Sequence, residues 1–301
     1  MTLTELRYLI ALAKEMHFGR AAERCHVSQP TLSVAIKKFE NQLGAVLFER
    51  SASELRLTEL GGRIVQQAKR VVAEAVRLEE IAAEDDDPLK GLLRIGVIYT
   101  VAPYLLPQFV PALHRSAPGM PLYLKEDFTA NLLAAVKAGE LDAAILALPV
   151  VVPGLVAQSL YDEPFRVVVP LDHPLTAPIA TNDLASGEVM ILGRGNCFRD
   201  QVLEACPHLA APGGLERSVE GGSLETLRYM VASGAGIAVM PSTAADPLLD
   251  RESLVRVLAF SGPQPMRRIA LVWRASFPRT RAMDVVKFAV LSCALPGTSK
   301  L

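Results

Sequence analysis

Two cysteines in the C-terminal half of the chain have a spacing that favours redox chemistry. Cys197 and Cys206 lie nine positions apart in the segment GNCFRDQVLEAC, and the residues between them favour helix. Over nine residues an α-helix rises about 13.5 Å and turns about 900°, whereas a disulfide requires Cα atoms within about 7 Å. The two thiols can therefore join only after the helix has broken, which couples oxidation to a change of shape.

Cys197 is predicted to be the more reactive thiol of the pair. It lies at the N-terminus of the expected helix, where backbone donors and the helix dipole favour a thiolate, and Arg199 follows two residues later. A thiolate attacks a peroxide to give a sulfenic acid, which a second thiol such as Cys206 converts to a disulfide. Spacing alone does not establish this role, because such pairs are more often structural. The other cysteines are expected to be buried and apolar in character: Cys25 and Cys293.

The composition is that of a folded protein of about two domains. The chain has 301 residues, of which 50% are hydrophobic and 21% charged. We find no secretory signal, no long uninterrupted apolar segment and too few cysteines for a disulfide framework, so a soluble, cytoplasmic protein without a membrane partner is expected. No metal site is predicted because the five histidines are scattered: His17, His26, His114, His173 and His208.

An acidic run followed by Pro88 divides the chain into two regions with different patterns. Before it the pattern is helical, with a small hairpin near 48–57 and a long helix that starts at Thr58 and runs to about Glu84. After it, strands and helices alternate, with a helix expected over 198–205. This alternation predicts an α/β domain with largely parallel sheets.

The N-terminal region contains the pattern of a helix-turn-helix. A short helix over 19–25 is followed by a tight break, and Ser28 can cap a second helix that has Pro30 in its first turn. Helical periodicity places one set of residues in an apolar seam: Leu32, Ile36, Phe39 and Leu43. Another set points away from that seam: Pro30, Ser33, Val34, Lys37 and Asn41.

The outward face of the second helix has the chemistry of a major-groove reader. Gln29 can pair with an adenine edge, and Thr31 or Ser33 can contact a base or a thymine methyl. Basic residues would contact phosphates: Lys37, Lys38, Arg50 and Arg56. Residues 1–70 hold eleven Lys and Arg against seven Glu, which suits a polyanion. An ordinary helical hairpin with solvated charges would fit the same pattern.

The segment MTLTELRYLIALAKEMHFGRAAERCHVSQPTLSVAIKKFENQLGAVLFER closely resembles the winged helix-turn-helix of LysR-type transcriptional regulators. The following LRLTELG resembles that family's entry into its linker helix. The resemblance implies an all-α winged helix-turn-helix, a long linker helix for pairing, and an α/β effector domain of two lobes similar to periplasmic binding proteins. It also implies a homo-oligomer, commonly a tetramer, on promoter DNA. The DNA-contacting positions implied are Ser28, Gln29, Pro30, Thr31, Ser33, Val34, Lys37 and Arg50.

The domain boundaries expected from this resemblance follow the breaks in the sequence. The winged helix-turn-helix is assigned to 1–58, the linker helix to 59–90 and the effector domain to 91–301. Within the effector domain, one lobe is expected over about 91–162 and 267–301 and the other over about 163–266.

The effector region is similar to the peroxide-sensing members of this family. The matching segments are GNCFRDQVLEAC, GVIYTVAPYLLP, DFTANLLAAVKAGELDAAILAL and SLETLRYMVASGAGIAVMP. The resemblance implies that Cys197 is the peroxidatic cysteine and Cys206 the resolving one, without a cofactor beyond hydrogen peroxide as oxidant. It further implies that peroxide is bound by Thr100, Thr129, Asp200 and an arginine of the 267–268 pair, assigned to Arg267. Asn196 departs from members that have His before the peroxidatic cysteine.

Three of these assignments have a simpler alternative. Thr129 could be the N-cap of the helix that runs to Gly139, and Thr100 could cap the helix that follows it. Asp200 could be a surface carboxylate that balances Arg199.

The sequence thus predicts a peroxide-responsive transcription factor, not an enzyme. Oxidation would rearrange the effector domains, shift the promoter footprint and permit contact with RNA polymerase, and a thiol reductant such as glutaredoxin or thioredoxin would reverse it. One alternative is a regulator that responds to a metabolite in the cleft between the lobes, with incidental cysteines. Another is a thiol peroxidase, against which the basic helix-turn-helix argues.

Overall fold

The structure, a computed structural model, describes residues 1–50, 55–83, 88–184, 189–210, 220–248 and 254–301. The chain forms two compact units. The first comprises Met1–Asp86 with Ala138–Glu140, and the second comprises Asp87–Lys137 with Leu141–Leu301. Separate clusters of buried apolar side chains occupy the two units.

The first unit begins with three helices, α1 (Leu3–Glu15), α2 (Phe18–Arg24) and α3 (Gln29–Leu43). The hydroxyl of Ser28 accepts a hydrogen bond from the backbone N–H of Thr31 at 3.3 Å, which confirms the predicted cap of α3. The predicted helix-turn-helix pattern is therefore present.

The seam of α3 is confirmed over most of its length. Leu32, Ile36 and Phe39 are all buried. Leu43 is 42% exposed, so its assignment to the seam is wrong. The reason is its position as the last residue of α3, since Gly44 turns the chain away with a φ of +64°.

A small hairpin and a long helix complete the first unit. Strands β1 (Phe48–Arg50) and β2 (Leu55–Leu57) pair antiparallel, as predicted. The hydroxyl of Thr58 accepts from the N–H of Gly61 at 2.8 Å, and α4 then runs without a break over Glu59–Ala83. The predicted end of this helix near Glu84 lies outside the described residues.

The second unit alternates strands and helices, as predicted. Within its described residues the α-helices are α5 (Ala102–Ser116), α6 (Thr129–Ala138), α7 (Cys197–Ala205), α8 (Leu224–Ala232), α9 (Ser242–Ala245) and α10 (Thr280–Ser292). Its strands are β3 (Leu93–Ile98), β4 (Leu122–Asp127), β5 (Ala143–Ala147), β6 (Leu155–Pro170), β7 (Val189–Leu192), β8 (Glu220–Gly221), β9 (Ile237–Pro241), β10 (Val255–Ala259), β11 (Met266–Arg274) and β12 (Ser299–Lys300).

The sheet is mixed, so the expectation of largely parallel sheets is wrong. Strand β3 is parallel to β4 and β5, and β7 is parallel to β8 and β9. The long strand β6 pairs antiparallel with β9, β10, β11 and β12, and β11 pairs antiparallel with β5. Local alternation predicts parallel units well, but it carries no information on the direction of a strand that joins two such units.

Two apolar cores make the second unit two-lobed, as expected. The first lobe contains the core built on β3, β4, β5, α5, α6 and α10, and the second lobe contains the core built on β7, β9, β10, α7 and α8. Strand β6 passes from one to the other, since Tyr161 lies in the first core and Phe165 in the second. Within the described part of the chain no helix is long and apolar enough to cross a membrane.

The packing of α3 leads to a first prediction. Replacing the buried Phe39 by alanine leaves a cavity and is expected to lower the free energy of unfolding by about 3–5 kcal/mol. Val34→Ala on the same helix, at a position that is 68% exposed, is expected to change it by less than about 0.5 kcal/mol. Denaturant unfolding of the full chain, followed by circular dichroism, measures both. Equal effects of the two variants would contradict the observed orientation of α3.

Candidate functional site

Helix α7 holds the two cysteines of the redox segment apart. Cys197 is its first residue, and Cys206 follows its last residue and donates its N–H to the carbonyl of Val202 at 2.9 Å. All four cysteines of the chain are free thiols. A continuous helix of this length separates its ends by about 13 Å, so the predicted incompatibility between helix and disulfide holds in this structure.

Burial of α7 also distinguishes the two thiols. Phe198, Val202 and Cys206 are all packed in the core of the second lobe, and Cys206 has no solvent exposure. This burial raises the pKa of the Cys206 thiol to about 11. Cys197 is partly exposed and lines a small cavity.

The cavity beside Cys197 brings together residues from both lobes. Its volume is about 10 Å³, close to the minimum that one water molecule needs. Loops and element ends after β3, β4 and β7 contribute its walls, which are formed by Ile98, Tyr99, Thr100, Asp127, Phe128, Thr129, Gly195, Asn196 and Cys197. Three of the sequence-predicted site residues therefore meet: Cys197, Thr100 and Thr129.

Thr100 is held by a buried arginine. The Nη1 of Arg267 donates to the Thr100 hydroxyl at 2.7 Å, and its Nη2 donates to the Thr100 carbonyl at 3.0 Å. Arginine is a donor only, so the hydroxyl oxygen accepts here and its own hydrogen is left for another partner. The N-cap of the following helix is Val101, and the prediction that Thr100 caps it is wrong.

Thr129 lines the cavity and has a hydroxyl without a hydrogen-bond partner among the described residues. The Oγ1 atom of this hydroxyl is buried. The prediction that it caps α6 is wrong, because Thr129 is already the first helical residue. Asp127 acts at that helix start instead, where its Oδ1 accepts from the N–H of Phe128 at 2.8 Å and from the amide of Asn131 at 2.7 Å.

The pairing of β11 with β6 places the two neighbouring arginines of β11 on opposite faces of the sheet. Arg267 is opposite Glu163 and Arg268 is opposite Asp162 on β6. Because successive side chains of a strand point to opposite faces, the Arg267–Glu163 pair is fully buried whereas Arg268 is exposed and binds Asp162 at 2.7 Å. The structure thus brings Arg267, and not Arg268, to the site.

A buried carboxylate that sequence reasoning missed completes this network. Glu163 accepts from the Nε of Arg267 at 2.6 Å through Oε2, and its Oε1 accepts from the N–H of Thr243 at 3.2 Å and from the Thr243 hydroxyl. No local signal distinguishes Glu163 from Asp162, since only the strand register decides which of the two turns inward.

Of the other predicted groups around Cys197, Asn196 lines the cavity, whereas Arg199 and Asp200 do not. Asp200 is exposed on the first turn of α7 and is not among the residues that line the cavity, so its role stays a prediction. Arg199 is buried and donates to the Leu192 carbonyl at 2.8 Å. Asn196 lines the cavity and donates to the Gly193 carbonyl at 3.0 Å. Cys293 is buried as expected, whereas Cys25 is only partly buried.

The outward face of α3 presents most of the residues predicted to contact DNA. The exposed ones are Ser28, Gln29, Pro30, Thr31, Val34 and Lys37, and Ser33 is half-buried. The Nζ of Lys38 forms an ion pair with the Oε1 of Glu5 in α1, at 3.8 Å. The side chain of Arg50 lies outside the described part of the structure.

Two protein-family profiles match the chain. One, described as bacterial regulatory helix-turn-helix protein, lysR family, covers residues 3–62. The other, described as LysR substrate binding domain, covers residues 86–290.

Similar proteins share most of the chain's length. The hydrogen peroxide-inducible genes activator of Pectobacterium carotovorum is 40% identical over 280 residues, which cover 92% of each chain. The DNA-binding transcriptional dual regulator OxyR of Escherichia coli is 40% identical over 282 residues, which cover 92% of this chain and 91% of that protein.

Solved structures are similar over the same extent. A full-length cysteine-to-aspartate variant of OxyR from Pseudomonas aeruginosa superposes with a TM-score of 0.80 at 49% identity, over 98% of this chain and 96% of that chain. A cysteine-to-serine variant of Corynebacterium glutamicum OxyR, bound to hydrogen peroxide, has a TM-score of 0.64 at 30% identity, over 96% and 91%.

The burial of Cys206 leads to a second prediction. A raised pKa means that folding favours the neutral thiol, so this contribution to stability is complete below pH 9 and is lost as the pH rises through about 11. Because thiolates are the nucleophiles, native Cys206 is expected to resist iodoacetamide until the pH nears that value. Peptide mapping by mass spectrometry measures the labelling, with urea-denatured protein as control. Equal labelling of native and denatured Cys206 near pH 9 would contradict the assignment.

Proposed function

The chain belongs to the LysR family of DNA-binding transcriptional regulators, and from that premise we propose that it activates transcription in response to hydrogen peroxide. Cys197 is the peroxidatic thiol and Cys206 the resolving thiol of the proposed switch. One observation carries the proposal: Cys197, Thr100 and Thr129 line the same water-sized cavity. The names of the similar proteins support the same function.

The proposed reaction proceeds in two balanced steps. The Cys197 thiolate attacks one oxygen of the peroxide, so that an S–O bond forms and the O–O bond breaks. Sulfur loses two electrons, and the departing oxygen leaves as hydroxide. This hydroxide takes up the proton that the Cys197 thiol released on ionisation and becomes water. The Cys206 thiol then displaces the hydroxyl of the sulfenic acid, giving a disulfide and water.

Two threonines line the cavity, and their hydroxyls suit a small oxidant that can both donate and accept hydrogen bonds. In its contact with Arg267 the Thr100 hydroxyl is the acceptor, so its own hydrogen remains available to donate to the peroxide. Thr129 has both functions unused among the described residues. The rings of Tyr99 and Phe128, in edge-to-face contact with centroids 5.2 Å apart, narrow the same cavity. A site of this size supports peroxide as the signal over a larger metabolite.

The second step requires the unfolding of α7. Cys206 is buried behind the helix whose other end carries Cys197, so the sulfurs can meet only when the turns between them come apart. Phe198 and Val202 would then leave the core of the second lobe. We propose that this local change rearranges the effector domains and transmits oxidation to the DNA-binding unit.

The remaining assignments complete the proposal. The winged helix-turn-helix comprises 1–58, the linker helix 59–90 and the effector domain 91–301, with lobes of about 91–162 plus 267–301 and about 163–266. The protein acts as a homotetramer on promoter DNA, with RNA polymerase as its partner after oxidation. Glutaredoxin or thioredoxin restores the thiols.

The proposal predicts that Cys197→Ser abolishes the response to peroxide and leaves promoter binding of the reduced protein intact. Cys206→Ser is expected to accumulate the sulfenic acid without a bridge, because the first step does not need the second thiol. Non-reducing peptide mapping and a promoter footprint, before and after a mild peroxide pulse, measure both effects.

Cys293→Ala is the matched control, since it removes a buried cysteine of the same effector unit. It is expected to form the 197–206 bridge as the parent protein does. A Cys197→Ser protein that still changes its footprint with peroxide would overturn the proposal, as would parent protein whose thiols stay unmodified.

The DNA-binding face of α3 yields a further prediction. Lys37→Ala is expected to weaken binding to all sequences alike and to reduce the slope of log affinity against log salt by about 1, because it removes one phosphate contact. Gln29→Ala is expected to lose about 1–3 kcal/mol of discrimination at one base pair. Fluorescence anisotropy over a salt series measures both. Lys137→Ala, an exposed lysine of the effector unit, should change neither; equal effects at Lys37 and Lys137 would contradict the assignment.

A further inference from the structure

Glu163 is a fully buried carboxylate that accepts three hydrogen bonds from other residues of the chain. It receives the Nε of Arg267 at one oxygen and both the N–H and hydroxyl of Thr243 at the other. Neither Glu163 nor Arg267 has an exposed side chain. Desolvation of two charges is costly, and apolar residues often fill such a place at equal or better stability. A buried ion pair that contacts Thr100, a residue of the cavity beside Cys197, therefore points to a role in the chemistry of that cavity.

The geometry of the arginine provides that reason. Its planar guanidinium presents donors in a fixed fork, so binding of Nε by Glu163 determines where the other two nitrogens point. Both of them reach Thr100, one at the hydroxyl and one at the carbonyl. The ring of Phe198, the neighbour of Cys197, lies 4.9 Å from the same guanidinium carbon and fixes it from a further side.

We infer that Glu163 is a positioning residue for the reaction of Cys197 with peroxide. It orients Arg267, Arg267 occupies the acceptor site of the Thr100 hydroxyl, and the Thr100 hydrogen is thereby directed to the departing oxygen of the peroxide. That hydrogen bond stabilises the negative charge that develops when the O–O bond breaks, in the manner of an oxyanion hole. This role rests on the proposed function and adds to it a residue that touches neither peroxide nor thiol.

Strand register provides a matched control for this role. Asp162 and Arg268 form the neighbouring pair on the same two strands, with distances of 2.7 and 2.8 Å, and this pair does not line the cavity beside Cys197. A change of Glu163 and a change of Asp162 thus remove similar charges from adjacent positions, and only the first acts on Thr100.

The test measures formation of the Cys197 sulfenic acid in a Cys206→Ser background, where the bridge cannot form. Peroxide is added in excess, and dimedone labelling with mass spectrometry gives the second-order rate constant. Glu163→Gln is expected to lower this constant at least about tenfold, as expected for weakening one preorganised donor. Asp162→Asn is expected to stay within about twofold. An unchanged rate in Glu163→Gln would overturn the inference.

A double-mutant comparison separates positioning from a general loosening of the fold. Thr100→Val removes the hydroxyl at similar size, so in that background Glu163→Gln is expected to cause less than about a twofold further decrease. Equal fold-decreases in both backgrounds would mean a purely structural role and would overturn the inference.

Thr243→Val provides a second test if Glu163→Gln does not fold, as judged by circular dichroism. It removes one donor to the Glu163 carboxylate and keeps the backbone N–H. It is expected to lower the rate constant by a smaller factor, and this factor should vanish in the Thr100→Val background; a factor that persists there would overturn the inference. Absence of any sulfenic acid in the Cys206→Ser protein would instead overturn the proposed function, and this inference with it.

Discussion

The buried ion pair between Glu163 and Arg267 is the interaction on which the site depends. It joins β6 and β11 where β6 passes from the core of the first lobe to that of the second. Through its outer contacts it also ties Thr100, after β3, to Thr243 in α9. Loss of one member of such a pair costs about 3–5 kcal/mol because the other charge stays buried without a partner. The pair and the two threonines therefore form one unit of four residues, which determines the geometry beside Cys197.

Features encoded by local sequence were predicted well. The cap at Ser28, the hairpin, the start of α4 at Thr58 and helix α7 all follow from short-range patterns of capping residues and apolar periodicity. The incompatibility between α7 and a 197–206 bridge needed only the geometry of a helix. Such features are independent of the rest of the fold, and sequence reasoning reaches them directly.

Features set by pairing between distant strands were not predictable in this way. The mixed direction of the sheet depends on how the two lobes are joined. Strand register, and not residue type, places Arg267 and Glu163 inside and Arg268 and Asp162 outside. Thr100 and Thr129 were assigned to the site by resemblance. The alternative that they cap helices is wrong, because Thr129 is the first residue of α6 and the N-cap of α5 is Val101.

The packing of α7 has a consequence for the reversal of oxidation. A bridge between the two ends of this helix forms only when Phe198 and Val202 lose their places in the second core. When the bridge is reduced, this packing forms again and stabilises the reduced state. Each 1.4 kcal/mol of that stabilisation makes the reduction potential of the bridge less negative by about 30 mV. In the proposed switch, this effect makes the bridge easier to reduce. The same helix that keeps the sulfurs apart would then limit how long the proposed signal persists after the oxidant has gone.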